Sequence, residues 1–263
     1  MKLRICHLYP DLLNLYGDRG NILILAQRAR WRGWEVEVDY RSLGERIDPF
    51  AYDLIFLGGG PDQEQGVVSE DLKIKGPLLL EAAEAGVAIL SICGGYQLLG
   101  HFYRSARGEV FPGVGLFPVY TEAGAKRLRG NIAVELGFLP GGAPVVGFEN
   151  HSGRTYLEGG EPLGRVLYGY GNNGLDGTEG VRYRRALGTY LHGPLLAKNP
   201  HLADYILKLA LERRHGQVEL EPLDDALEMT VNRQVYLRFG RKNFLKFRRP
   251  RSSSPNKPAF SLR

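Results

Sequence analysis

The chain has 263 residues, 43% of them hydrophobic and 24% charged, with a formal net charge of +5 and two cysteines. That is enough apolar material for a full core in one domain, and two widely separated cysteines argue against a disulfide framework and against a zinc site. No apolar stretch approaches the ~20 residues of a membrane-spanning helix, and Met1-Lys-Leu-Arg-Ile-Cys6 lacks the apolar centre of a signal peptide, so a cytoplasmic protein is expected.

Strands are expected at Leu3 to Leu8, Glu35 to Tyr40, Asp53 to Leu57 and Val87 to Ile92, alternating with helices around Asn21 to Arg32 and Leu78 to Ala85. This alternation predicts an α/β fold with a central, mostly parallel sheet covered by helices on both faces. Asp18-Arg-Gly-Asn21 is the entry to the first helix, with Asn21 as candidate N-cap, and Cys6 is expected to pack inside the first strand. From Val114 to Tyr190 short strands broken by glycine-rich turns suggest an antiparallel extension. Asn199 to Arg213 is amphipathic, with Leu202, Tyr205, Ile206 and Leu209 on one face. Leu223 to Leu237 is compatible with a helix. From Arg241 to Arg263 there are eight Lys or Arg and no acid, leaving residues 1–240 at −3. This basic segment, with Ser252-Ser-Ser-Pro-Asn-Lys-Pro258 inside it, is expected to be disordered.

The most informative stretch is Val87-Ala-Ile-Leu-Ser-Ile-Cys93-Gly-Gly-Tyr-Gln97, where a buried strand breaks into a cysteine and two glycines, and a helix from Tyr96 to His101 can follow. A side chain at such a corner projects from the carboxyl end of the strand with a helix N-terminus behind it, which lowers a thiol pKa from about 8.5 toward neutrality. Gly94 and Gly95 permit the turn and leave the Gly94 N–H open to a substrate carbonyl as half of an oxyanion hole. The alternative is a buried structural cysteine at the end of a strand. A thiol nucleophile needs a base. Ala186-Leu-Gly-Thr-Tyr-Leu-His192-Gly-Pro194 repeats the layout of strand, polar residue and break, and two strand-end residues of one parallel sheet can meet over the same edge. Of the other histidines, only His151, in the polar loop Phe148-Glu-Asn-His-Ser-Gly-Arg154, competes, and a turn-stabilising role is the alternative there.

Together these motifs resemble the class I glutamine amidotransferases of the cobyric-acid-synthase-like branch. Within that branch, Leu8-Tyr-Pro-Asp-Leu-Leu-Asn-Leu-Tyr-Gly-Asp-Arg-Gly-Asn21, Gly58-Gly-Gly-Pro-Asp-Gln-Glu-Gln65, Arg127-Leu-Arg-Gly-Asn131 and Gly147 to Arg154 are similar to the glutaminase subunits of lipid II isoglutaminyl synthases. The resemblance covers residues 1–215, leaving 216–240 as a helical extension and 241–263 as the basic tail. It implies attack of Cys93 on the amide of L-glutamine, a glutamyl thioester, release of ammonia and hydrolysis, with His192 as base. Arg127 would grip the substrate α-carboxylate, with Arg129 as the alternative and a solvated loop before a Gly130-Asn131 turn as the plain reading of both. Gln97 belongs to the substrate site, and the second oxyanion donor would come from Gly59 or Gly60.

One position departs from the wider class: Pro194 stands where most members carry a glutamate two residues after the histidine. The site is then a dyad, or takes Asp18 as its third group, or receives a carboxylate from a partner subunit; the last two are the preferred expectations. The expected partner is a Mur-ligase-like synthetase forming a heterodimer with this chain. It would use ATP and Mg to activate D-glutamate of lipid II for amidation to D-isoglutamine, so this chain itself needs no cofactor and no metal. The basic tail could contact anionic membrane, or nucleic acid, which is the weaker expectation. The rival readings are an amidotransferase for corrinoid-type ring amidation and a non-catalytic scaffold that binds through its tail.

Overall fold

A computed structural model describes residues 1–139 and 141–247. In chain order the elements are β1 (Lys2–Leu8), α1 (Arg19–Trp31), β2 (Glu35–Arg41), β3 (Leu54–Leu57), α2 (Asp62–Glu84), β4 (Ala88–Ile92) and α3 (Gly94–Leu98). They continue with β5 (Phe102–Arg104), β6 (Val110–Pro112), β7 (Val119–Glu135), β8 (Val145–Leu157), β9 (Gly164–Tyr168), β10 (Thr178–Glu179), β11 (Val181–Tyr183), β12 (Ala186–Thr189), α4 (Pro200–His215) and α5 (Ala226–Phe247).

The first sheet has the order β11-β12-β4-β3-β1-β2. Its strands run parallel except β11, which pairs antiparallel with β12. β3 and β4 are buried along their whole length, as expected where helices cover both faces. Parallel pairing brings the carboxyl ends of β1, β3, β4 and β12 to one edge, with Thr189 opposite Ile92 and Leu57 opposite Ser91. The segments leaving these ends carry Asp18, Gly58 to Gly60, Cys93 and His192. The second sheet, order β10-β9-β7-β5-β6 with β8 on β7, is antiparallel except for the β5–β7 pair. It is the expected extension.

Several local expectations need correction. The helix expected from Leu78 begins at Asp62 and passes through Gly66, Gly76 and Pro77. Those breakers hide it in the sequence, and its burial of Val68, Leu72 and Leu79 offsets their cost. Helix α1 starts at Arg19 with Asp18 at the N-cap position. Asn21 is therefore not a cap; it is buried within the helix, where its Oδ1 accepts from Leu196 N–H at 2.9 Å. The elbow helix ends at Leu98, so exposed His101 lies beyond it. Gly130-Asn131 is not a turn but part of β7, and Phe148 to Arg154 is not a loop but part of β8.

The expected C-terminal helix runs on to Phe247, across the boundary drawn at 240, so the first seven residues of the expected disordered tail are helical. Residues 248–263, and with them most of the basic segment and the membrane contact expected of it, lie outside the described residues. Helix α5 docks on the second sheet through Phe239, which packs on Ala133 and Val146 and stacks on Tyr168 at 5.1 Å. Buried Asn232 donates to the carbonyls of Pro144 and Lys198. Arg28 of α1 reaches Asp204 of α4 at 2.8 Å and Asp225, just before α5, at 2.6 Å, tying the helical layer together.

Candidate active site

Cys93 sits between β4 and α3 with φ 51° and ψ −104°. A non-glycine residue there is strained by about 1–3 kcal/mol and persists only where its surroundings hold it. Here its N–H donates to Thr189 O at 2.8 Å and its carbonyl accepts from Gln97 N–H at 2.9 Å. A β-carbon on Gly95 would lie 2.7 Å from Leu57 Cβ and 2.8 Å from Gly58 O, so only glycine fits under the turn. Cys93 is 6% exposed and lines a cavity of about 670 Å³ together with Tyr16, Gly60, Gln97, Arg127 and Arg129.

His192 follows β12 and is pinned by its backbone, its N–H donating to Phe148 O at 2.8 Å. Its Nδ1 lies 3.1 and 3.2 Å from the two oxygens of Asp18. A carboxylate only accepts, so Nδ1 carries the hydrogen and Nε2 is left to the cysteine side; Nε2 is buried with no partner among the described residues. A β-carbon on Gly59 would stand 2.8 Å from His192 Cε1, 3.1 Å from Cys93 Cβ and 3.3 Å from Asp18 Oδ2. Thiol, imidazole and carboxylate thus converge around one glycine. Burial pushes the imidazolium of His192 down, but the charge of Cys93 and the hydrogen bond with Asp18 outweigh it and hold it at about 10. Tyr16 covers the ring, edge-on at 4.8 Å.

Gly59 cannot serve as an oxyanion donor as expected, because its N–H donates to Asp18 Oδ2 at 2.9 Å. Gly60 is free to do so: its nitrogen lies 2.9 Å from where a Gly94 β-carbon would stand, so the Gly60 and Gly94 amides border the same space. Gln65 Nε2 donates to Gly60 O at 3.0 Å and fixes that turn. Gln97 Nε2 donates to Tyr190 OH at 3.0 Å, which also meets Thr155 Oγ1 at 2.6 Å. Arg127 is exposed at the cavity mouth, where Nε and Nη2 donate to Asn150 Oδ1 and O at 3.0 and 2.9 Å. Arg129 lines the same cavity and remains the alternative.

The other titratable groups fall outside this chemistry. His151 is buried and lies flat on Tyr190 at 3.6 Å, with Nδ1 on Gly153 O at 2.8 Å. Burial lowers it to about 3, so it is a neutral packing group. Burial likewise raises the Cys6 thiol to about 12, which makes it unreactive. Among the described residues no group of three or more His, Cys, Asp or Glu side chains could hold a metal ion, and no helix is long and apolar enough to cross a membrane. Sequence reasoning missed Tyr16, Gln65, Asn150 and Tyr190 as site residues, although all four lie inside or beside the motifs it singled out.

Residues 4–200 match the CobB/CobQ-like glutamine amidotransferase domain family. A relative from Staphylococcus aureus (strain N315), the lipid II isoglutaminyl synthase (glutamine-hydrolyzing) subunit GatD, is 43% identical, covering 92% of this chain and 98% of the relative. The protein of the same name from Streptococcus pneumoniae (strain ATCC BAA-255 / R6) is 40% identical, over 88% and 89%. A probable cobyric acid synthase from Methanopyrus kandleri is 41% identical but over only 44% of this chain and 25% of its own length. A solved glutamine amidotransferase superposes with a TM-score of 0.52 at 19% identity, covering 78% of this chain and 98% of that one, a likeness of fold.

Proposed function

Because the chain belongs to the CobB/CobQ-like glutamine amidotransferase family, we propose that it is the glutamine-hydrolysing subunit of a lipid II isoglutaminyl synthase. The observation that carries the catalytic half is the convergence of Cys93, His192 and Asp18 around Gly59. With His192 held charged beside Cys93, the thiol proton already rests on Nε2, and Cys93 Sγ attacks the side-chain amide carbon of L-glutamine as the thiolate of that pair. The oxyanion of the tetrahedral adduct accepts from the Gly60 and Gly94 amides, each such donor being worth about 10²–10³ in rate. His192 then gives the proton to the leaving nitrogen, ammonia departs, and a thioester remains. A water that loses its proton to His192 attacks the thioester and frees glutamate and Sγ. Asp18 holds the imidazole in the tautomer that this proton traffic needs.

Arg127 takes the substrate α-carboxylate. With Gln97 Nε2 engaged by Tyr190, Gln97 Oε1 remains as an acceptor for the α-ammonium group. Of the expected sources of a third group, this reading takes Asp18, whose carboxylate lies 3.1 Å from His192 Nδ1. The partner is a Mur-ligase-like synthetase that binds ATP and Mg and passes the ammonia to D-glutamate of lipid II. The lipid II part of that assignment is supported by the name of the Staphylococcus relative and its near full-length coverage, and the synthetase with its ATP and Mg by the family resemblance of the motifs. The corrinoid reading is disfavoured by the short overlap with cobyric acid synthases, and the scaffold reading by the strained cysteine opening on a cavity.

Ammonia release from glutamine by wild type, Cys93→Ala and His192→Ala, each alone and with a co-purified ligase-like subunit, tests the reading. Loss of turnover in both variants is expected. Wild-type turnover by Cys93→Ala overturns it.

A further inference from the structure

Two of the motifs found in the sequence, the one ending in Asp18-Arg-Gly-Asn21 and the one from Gly147 to Arg154, contribute residues that the chemistry above leaves without a task. Tyr16 and Asn150 are the chief ones. Their place in the structure begins with the bulge in β7, where pairing with β8 breaks between Ala123 and Leu128. Ala123 faces Gly153 and Leu128 faces His151, so four residues, Gly124 to Arg127, stand against Ser152 alone. A bulge re-aims side chains that strict alternation would fix. Arg154 braces this one, Nη2 donating to Lys126 O at 2.6 Å and Nη1 to Ser152 O at 2.9 Å.

Arg127 emerges from the bulge and is held by one residue. Asn150 receives Nε on its side-chain carbonyl and Nη2 on its main-chain carbonyl, so the guanidinium plane is fixed while Nη1 is committed to no acceptor among the described residues. Both acceptors are neutral. The hold therefore sets direction without neutralising the charge, which a carboxylate in the same place would do. The remaining side-chain polar group of Asn150, Nδ2, donates to Tyr16 OH. Tyr16 has φ 55° and stands edge-on to both His192 and Phe148, at 4.8 and 6.0 Å. Both side-chain polar groups of Asn150 and its main-chain carbonyl are thus spent at the cavity mouth, two on the cation and one on the ring over the base.

We propose that Asn150 is a positioning residue for glutamine selection: it orients Arg127 toward the substrate α-carboxylate, keeps that cation unneutralised, and ties it to the Tyr16 cover of His192. The inference rests on the glutaminase reading and on Arg127 as carboxylate ligand.

The test compares L-glutamine with 4-aminobutanamide, the same molecule without its α-carboxylate, in the full-length protein together with its synthetase subunit. Asn150→Asp places an anion on Arg127 that competes with the substrate carboxylate. It should raise KM for glutamine about tenfold or more, with kcat changed less and kcat/KM for 4-aminobutanamide falling far less than kcat/KM for glutamine. Asn150→Ala, which keeps the main-chain carbonyl, should lose part of the preference for glutamine, and adding it to Arg127→Ala should cost nothing further. Thermal unfolding checks that each variant is folded. Equal loss toward both amides in the folded Asn150 variants, or additivity with Arg127→Ala, overturns the inference while leaving the glutaminase reading intact. An unchanged preference in Arg127→Ala overturns it by removing the carboxylate ligand, and turnover by Cys93→Ala would instead remove the glutaminase reading.

Discussion

Replacing Asp18 by Asn tests the reasoning at its most exposed point, because it keeps shape and changes only charge and donor pattern. The carboxylate now accepts twice, from His192 Nδ1 at 3.1 Å and from Gly59 N–H at 2.9 Å through Oδ2. An asparagine has one acceptor oxygen. The Gly59 amide cannot turn away without moving the turn that holds the Gly60 donor, so the oxygen stays with Gly59 and the new amide nitrogen faces His192. Nδ1 must then accept, the ring hydrogen moves to Nε2, and the atom meant to take the thiol proton already carries one. The equivalent tautomer error in a serine hydrolase triad costs about 10⁴ in kcat, and about 10³–10⁴ is expected here, with KM for glutamine little changed. The substitution also removes one of the causes that hold His192 at about 10 rather than 6.5. The alkaline limb of kcat/KM should therefore move to lower pH. The linked stability has a definite sign: a raised folded-state pKa stabilises fully below 6.5 and the gain is lost as pH rises through about 10. The stability margin of wild type over Asp18→Asn should thus shrink across that window. Steady-state ammonia release from pH 6 to 10, with denaturant unfolding at the same pH values, measures both effects. A variant retaining more than a tenth of wild-type kcat would refute Asp18 as the third group and return that role to the partner subunit.

Gly59→Ala would set a β-carbon 2.8 Å from His192 Cε1 and 3.1 Å from Cys93 Cβ. Turnover should fall about 10²-fold, the scale of an ångström of misplacement, and near wild-type ammonia release would show that the centre tolerates a wider spacing. Iodoacetamide should alkylate the native protein once, at Cys93 on the cavity and not at fully buried Cys6; intact-mass and peptide mapping report this, and native labelling of Cys6 would contradict its burial. Arg28→Ala should lower unfolding stability by about 2 kcal/mol, less than a fully buried pair would lose, because Asp204 and Asp225 are 26% and 23% exposed. A denaturant midpoint unchanged from wild type would mean that the three helical segments are held by packing alone.

The parallel sheet was legible because its central strands are buried on both faces and read as continuous apolar runs, as Leu54 to Leu57 does. The nucleophile and base were legible for a related reason, each being the first polar side chain of consequence after such a run. Strand β8 was not. Its burial alternates strictly from Gly147 to Thr155, but the buried face carries Glu149, His151 and Thr155. Alternation of hydrophobicity, the usual strand signal, is therefore absent from a strand whose geometry is regular. The buried polar groups are satisfied in pieces that lie far off in sequence: Glu149 accepts from Tyr170 and Gly171 N–H, and Thr155 meets Tyr190. No local pattern could announce those pairings. Asp18 was legible as a candidate through its neighbourhood, but its choice over a partner carboxylate needed the return of the β1–α1 segment to the sheet edge.

The two faces of β8 also explain how substrate contact and catalysis are joined in so small a site. On the buried face, His151 stacks on Tyr190, whose hydroxyl fixes the Gln97 amide. On the other face, Asn150 fixes the Arg127 guanidinium, and Arg154 braces the bulge from which that arginine leaves. One strand with a two-residue period thus sets Arg127 and Gln97, the groups proposed to hold the carboxylate and ammonium of the substrate, relative to each other. Phe148 of the same strand exchanges backbone hydrogen bonds with His192. On the proposed mechanism, substrate grip and general base are therefore both anchored to one strand, and a shift of β8 would disturb KM and kcat together. Substitutions on the strand's two faces should for that reason be separable by which end of glutamine they mis-set: removing the α-carboxylate from the substrate should mask changes at Asn150, and leave changes at Gln97 fully visible.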